Sequence, residues 1–377
     1  MSATLCSLLK ASLSSYYDSL KISINEGMIT KRVEIKMKYL FASCVLISCG
    51  LALSGCAGMQ KPAFSTAEVQ SLAISLDSSK MMAHLDAFQK IATNNGANRA
   101  VGTAGGLATA KYIMSEAKKA GLQPQMIAFE NREKVVGQNI IVEIKGQNID
   151  DAIVLGAHYD SVKSGPGIND NGSGTALLLE LMHHLAQQKT APKNTVYLAF
   201  WDSEEVGIAG SQAFVKKLSP EQLKHIKAYI NVDMVGTKNP DIMIADATKS
   251  SVDEMEKMLK ARGMSEADYK PLTDGLRAVP VHAGDLALEQ ELSKFFQQKG
   301  IKIKKDVSTL TASDTVPFLG KVPVASIILF NEQLKGDVLE FAPCYHQACD
   351  TTDWVDPNSL KLASEAILNL LSYLQNQ

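Results

Sequence analysis

The chain has 377 residues, a formal net charge of −2 and 46% hydrophobic residues, enough for one large core or two modest ones. Charges of both signs alternate along most of it. No basic block and no aromatic-studded basic stripe occurs, which excludes the electrostatic footprint of a nucleic-acid binder.

In chain order, the N-terminus reads as a targeting segment. Lys36 and Lys38 supply its positive region, residues 39–53 (YLFASCVLISCGLAL) its apolar region, and Leu53-Ser54-Gly55-Cys56 a small-residue ending. The apolar run is short of the roughly 20 residues that span a bilayer. Its ending resembles the lipobox of bacterial lipoproteins, which implies cleavage before Cys56 and lipidation of that cysteine. The expected organisation is a leader over 1–55, a tether over 56–65 and a folded body over 66–377. The body is then membrane-anchored through Cys56 at the bacterial cell envelope, facing the periplasm or the cell surface. Met37 opens a well-formed signal by itself, so the first 36 residues read as the product of a misplaced start codon. Cys6, Cys44, Cys49 and Cys56 belong to the leader. Cys344 and Cys349 remain, an even pair in an oxidising compartment, which suggests one disulfide.

Within the body, helical spacing over 66–94, broken near Asp77-Ser78-Ser79, predicts two helices. A loop over 99–106 leads into a helix over 105–120, with Gly121 placed as its terminating glycine. Strands are predicted over 135–144, 153–157, 195–201, 228–232 and 322–330, and helices over 174–188, 206–218, 252–262, 286–299 and 357–375. The pattern loosens over 246–310, where 269–284 has no clear form; this segment reads as a lid or specificity insert. Strand and helix otherwise alternate. That predicts a single α/β domain with a central, mostly parallel mixed sheet flanked by helices.

The strands before His158, Asp202 and Asp233 each finish at a polar cluster. His158 and Asp160 close one apolar run, Asp170 sits in the Gly-rich loop after it, Glu204-Glu205 follows TVYLAFW, and Asp233 follows AYINV. Singly these are ordinary residues: an Asp after a strand is often a helix cap, and a Glu pair is usually solvated. Jointly they place carboxylates at the ends of central strands, where burial costs roughly several kcal/mol per ion without a counter-charge. A pair of divalent cations supplies it. Two imidazoles and three carboxylates, with an acid left over, is a natural ligand set for two zinc ions.

The chain resembles the zinc aminopeptidases of the MH clan, especially the secreted bacterial leucyl aminopeptidases, over nearly all of residues 100–377. The resemblance is carried by GAHYDS (156–161), GINDNGSGTA (167–176), FWDSEEVGIAGSQAF (200–214), NVDMVG (231–236), SDTVPF (313–318) and CYHQACDT (344–351). It implies the zinc-peptidase (phosphorylase/hydrolase-like) sandwich and a hydrolase with two zinc ions per chain. Asp170 would bridge the metals, His158 and Asp233 complete one site, and Glu205 and His346 the other. Glu204 would be the general base, Asp160 the carboxylate that orients His158, and Tyr345 the hydroxyl that supports the oxyanion. Cys344 and Cys349 would form the disulfide that brackets Tyr345 and His346. The implied partners are peptides with a free N-terminus. Relatives commonly carry His where this chain has Thr315, a departure that touches the substrate pocket and not the metal site. His84, His183, His184, His225 and His282 are expected to be structural or solvated.

Three other readings share these motifs. A glutaminyl cyclase of the same fold uses one zinc, a carboxypeptidase or dipeptidase would differ in pocket residues, and a non-catalytic homologue would usually have lost ligands.

Overall fold

The computed structural model describes residues 76–377 except 262, 332, 336 and 337. The leader, Cys56, the tether and the first of the two N-terminal helices lie outside the described residues. Eight strands form one sheet: β1 (Gln125–Glu130), β2 (Val136–Ile144), β3 (Asn148–His158), β4 (Asn194–Trp201), β5 (Ile226–Asp233), β6 (Asp241–Ala245), β7 (Lys304–Asp306) and β8 (Val324–Phe330). Their spatial order is β1-β2-β4-β3-β5-β8-β6-β7. The four central strands β4, β3, β5 and β8 run parallel, while β1, β2 and β6 are antiparallel to their inner neighbours. A two-stranded hairpin, β9 (Gln333–Lys335) and β10 (Val338–Glu340), stands apart from this sheet.

Central strands buried on both faces explain the nearly unbroken apolar runs. Ile153, Leu155 and Ala157 of β3 enter one core, and Val154 enters the other. The first core is shared with α1 (Ser78–Asn94), α2 (Ala104–Lys119) and α3 (Ser173–Ala186). The second takes Val215 of α4 (Ala209–Lys217), beyond which lies the short α5 (Pro220–Lys224). It also takes Val252 of α6 (Ser250–Ala261) and Leu276 of α7 (Glu266–Arg277). Leu288 and Leu292 of α8 (Asp285–Gln298) return to the first core. A single turn, α9 (Ser308–Thr311), adds Leu310 to the second, and α10 (Pro357–Gln375) closes the first with Leu360, Ile367 and Leu371.

The expected α/β architecture is what forms. The sequence pattern does not predict β1, β6, β7, β9, β10, α7 or the short α5 and α9. The loosened segment therefore contributes a strand to the sheet, since β7 pairs with β6 at the edge. Helix α7 carries Pro271 in its interior, which removes a backbone donor and argues against a helix on local grounds. Burial of Tyr269, Thr273 and Leu276 holds it in place.

Candidate metal centre

β4, β3 and β5 bring their carboxyl ends to one edge of the sheet. The chain leaves β3 for β4 on one side and crosses to β5 on the other, so the crevice at the end of β3 is a topological switch point, where open α/β folds bind ligands. His158 is the last residue of β3 and Asp233 the last of β5. Glu204 and Glu205 follow β4. Asp170 lies in the tight turn Ile168–Gly172 that feeds α3. His346 arrives from the loop beyond the hairpin.

Several of these loops turn through the left-handed region beside the polar residue. Ser203 (φ 62°) precedes Glu204, Met234 (φ 48°) follows Asp233, and Cys344 (φ 67°) and His346 (φ 58°) flank Tyr345. Such conformations are uncommon for residues with a Cβ and are over-represented at functional sites. At Gly167 (φ 61°) a Cβ would lie 2.4 Å from the Asp170 carbonyl oxygen, so the turn requires glycine.

Two donor groups result. His158, Asp170 and Asp233 form one, and Asp170, Glu205 and His346 the other, each with its ligand atoms within 4.8 Å of one another. His158 Nε2 is 3.4 Å from Asp170 Oδ1 and 3.6 Å from Asp233 Oδ1. His346 Nε2 is 3.1 Å from Asp170 Oδ2 and 3.2 Å from Glu205 Oε2. Donors about 2.0–2.1 Å from a tetrahedral ion stand about 3.3 Å apart, so both groups have the spacing of zinc ligands. Glu205 Oε1 and Asp233 Oδ1 are buried without a hydrogen-bond partner, orphans that a cation would satisfy. The donor set fits two such ions. Glu204 belongs to neither group, and its Oε2 stands 4.0 Å from His158 Nε2.

Further residues hold this arrangement. Asp160 Oδ1 is 3.4 Å from His158 Nδ1, and its two oxygens accept the backbone N–H of Glu204 (3.1 Å) and Glu205 (3.3 Å). Asp350 accepts the N–H of Asn169 (2.9 Å) and Asp170 (3.1 Å). Ser313 donates its hydroxyl to Asp233 Oδ2 at 2.7 Å. The buried Arg99 guanidinium donates to the carbonyls of Tyr159, Pro166 and Gly167, strapping the loop between His158 and Asp170. Tyr345 stacks on His346 with ring centroids 3.8 Å apart. Cys344 and Cys349 are bonded, with Cα atoms 5.3 Å apart. Thr315 is buried and donates to the carbonyls of Thr309 and Leu310, 3.3 and 2.8 Å away.

Electrostatics mark a cation site. Burial acts first on the His346 imidazole and lowers its pKa, yet Glu205 and Asp170 beside it lift the value to about 11. Burial pushes Glu204 well above the usual carboxylate range, opposed by His158 and aided by Asp314, Glu205 and Asp233. Crowded buried carboxylates call for positive charge.

All the residues expected at the site meet there except Cys56, which lies outside the described residues. Arg99 and Asp350 carried no recognisable signal as participants. Arg99 lies in an ordinary-looking loop, and Asp350 was one acid among the motif residues CYHQACDT. Among the remaining histidines, the fold sets His183 Nε2 3.1 Å from Glu116 and His225 Nδ1 3.4 Å from Asp151, partners far away in the chain.

The chain is 32% identical to an aminopeptidase of Pseudomonas aeruginosa over 264 residues, 67% of this chain and 44% of that one. It is likewise 32% identical over 234 residues to a probable lipoprotein aminopeptidase of Mycobacterium tuberculosis, covering 59% of this chain and 42% of that one. It thus spans about half the length of the curated relatives it matches. A solved glutaminyl cyclase of an Acidobacteriales bacterium superposes with a TM-score of 0.60 at 20% identity, covering 85% of this chain and 99% of that one. Such a likeness speaks for the fold alone. Residues 139–371 match Peptidase family M28, and the chain belongs to that family.

Proposed function

We propose that this protein is a co-catalytic di-zinc aminopeptidase that removes N-terminal residues from peptides. The observation that carries the reading is the Asp170 carboxylate, which turns Oδ1 toward His158 and Oδ2 toward His346. His158, Asp170 and Asp233 would hold one ion, and Asp170, Glu205 and His346 the other. Bound there, two zinc ions supply Lewis acidity toward a peptide carbonyl and acidify water.

The chain's own groups do the rest. Glu204, outside both donor groups, takes a proton from the attacking water and returns it to the leaving amine as the C–N bond breaks, a role usually worth about 10²–10⁴ in rate. Asp160 fixes the His158 ring and, through the two amides it accepts, the turn that aims Glu204. The Tyr345 hydroxyl supports the developing oxyanion. Carboxylates of Glu204 and Asp233 receive the substrate's α-ammonium, which confines cleavage to the first residue.

Placement at the cell envelope through a lipid on Cys56 is part of the same proposal. It is supported by the leader sequence and by the likeness to a probable lipoprotein aminopeptidase. Purified zinc-loaded protein, assayed on aminoacyl substrates and their N-acetylated counterparts, tests the activity. Cleavage is expected only where the α-amino group is free. Cyclisation of N-terminal glutamine with one metal per chain would overturn the reading in favour of a cyclase.

A further inference from the structure

Away from the sheet edge, three helices bring a second kind of donor group together. His84 comes from α1, Glu116 from α2 and His183 from α3. One ligand atom from each lies within 4.8 Å of the other two. We propose that His84, Glu116 and His183 form a further metal site, which takes a zinc-class dication and ties the three helices to one another.

The geometry has the features such an ion needs. His183 Nε2 and Glu116 Oε2 stand 3.1 Å apart, close to the separation of about 3.3 Å between two donors on one tetrahedral ion. The rings of His84 and His183 lie nearly parallel, centroids 6.1 Å apart, which keeps both imidazoles beside the carboxylate. The Tyr112 hydroxyl, 2.7 Å from His84 Nδ1, holds that ring in position, as partners of metal-bound histidines do. His84 and Glu116 are buried, whereas His183 is partly exposed, which gives an ion a way in.

The surrounding charges permit it. Lys119 engages the other oxygen of Glu116 at 2.7 Å and is itself largely exposed, leaving Oε2 to face His183. Lys80 is taken up by Glu180 at 3.4 Å. Glu116 and His183 both lie in the last turn of their helices, where the carbonyl ends carry partial negative charge and favour a cation. From the start of α3, beside the Asp170 turn, His183 is roughly 15 Å along the helix axis, so this ion would take no part in the reaction.

The experiment compares full-length mature protein with His84→Gln/His183→Gln, each stripped with chelator, reloaded with zinc, desalted and analysed for metal per chain. One equivalent fewer is expected in the double variant, with kcat unchanged. Zinc at a hundredfold excess over Kd should raise the Tm of Asp170→Asn, whose reaction-centre ions are weakened, by about 5 °C, and this rise should vanish when the two histidines are also replaced. Glu116→Gln, which keeps the shape of the side chain, replaces the double variant if that one does not fold. Equal zinc content in wild type and variants, or an equal rise in Tm, overturns the proposal. The readout is a difference between chains, so it stands whether the reaction centre holds two ions or one.

Discussion

Asp350 accepts the backbone N–H of Asp170 at 3.1 Å, fixing from behind the residue whose two oxygens face both histidines. Its other oxygen takes the neighbouring amide of Asn169. Removing this support should loosen Asp170 without deleting a donor. Asp350→Ala is expected to lower zinc affinity about 10–100-fold, the usual cost of losing an outer partner. Chelator competition measures this, and unchanged affinity would remove Asp350 from the site's support.

Arg99 is fully buried and spans the loop from His158 to Asp170 through three carbonyls. Burial pulls its pKa down to about 10, with Asp160 and Asp350 opposing the fall, so it stays charged at neutral pH. Arg99→Met leaves those carbonyls and carboxylates without their partner, and should cost about 3–5 kcal/mol of stability. Arg99→Lys should recover only part, since one ammonium cannot reproduce the planar fork. Denaturant unfolding decides. A loss below about 0.5 kcal/mol for Arg99→Met would show the strap to be dispensable.

The parts of the molecule legible in the sequence are those where a physical conflict is local. An apolar run that ends on His158 or Asp233 announces a buried strand and a costly charge together. The apolar pattern starts β3 at 153, whereas the strand begins five residues earlier at Asn148, because its polar beginning is held by pairing across a register shift and not by its own pattern. The short strands β6 and β7 at one side of the sheet, and the proline-bearing α7, owe their form to tertiary contacts. The same holds for side chains whose partners are remote. Arg99 meets carbonyls 60 or more residues away, and Glu116 meets His183 only once α2 and α3 have packed. The left-handed turns at Ser203, Met234 and His346 fall on residues with a Cβ, which no glycine in the sequence announces.

Cys344 and Cys349 close a loop too short for a large chain-entropy gain, so the bond's effect is local, on Tyr345 and His346 between them. Thiol titration of unfolded, unreduced mature protein should find neither cysteine reactive. Cys344→Ser/Cys349→Ser should weaken zinc on the His346 side while leaving the His158 side occupied. Two reactive thiols in the wild type would refute the linkage.

Lipidation at Cys56 makes a separate prediction, resting on the leader alone. Two or three acyl chains at about 0.8 kcal/mol per buried CH₂ make release from a membrane negligible. Cys56→Ser should therefore accumulate as unprocessed precursor or move to the soluble fraction. Unaltered processing and fractionation would rule the lipobox out.

Glu204 and Glu205 are neighbours with different surroundings, and substituting each with Gln separates their roles. Glu205 Oε2 lies 3.2 Å from His346 Nε2 inside one donor group, whereas Glu204 belongs to neither group and its Oε2 stands 4.0 Å from His158 Nε2. Glutamine keeps the length and hydrogen-bonding reach of the side chain but cannot accept a proton. Glu204→Gln is thus expected to keep its fold and both zinc ions while kcat falls roughly 10²-fold or more, with kcat/KM falling alongside it. Glu205→Gln is expected to lose affinity for one ion first, so that added zinc restores part of its activity and none of that of Glu204→Gln. Metal per chain and kcat on both variants, measured side by side across a zinc titration, decide the matter. Should Glu204→Gln shed an ion while Glu205→Gln retains two, the assignment of base and ligand is reversed.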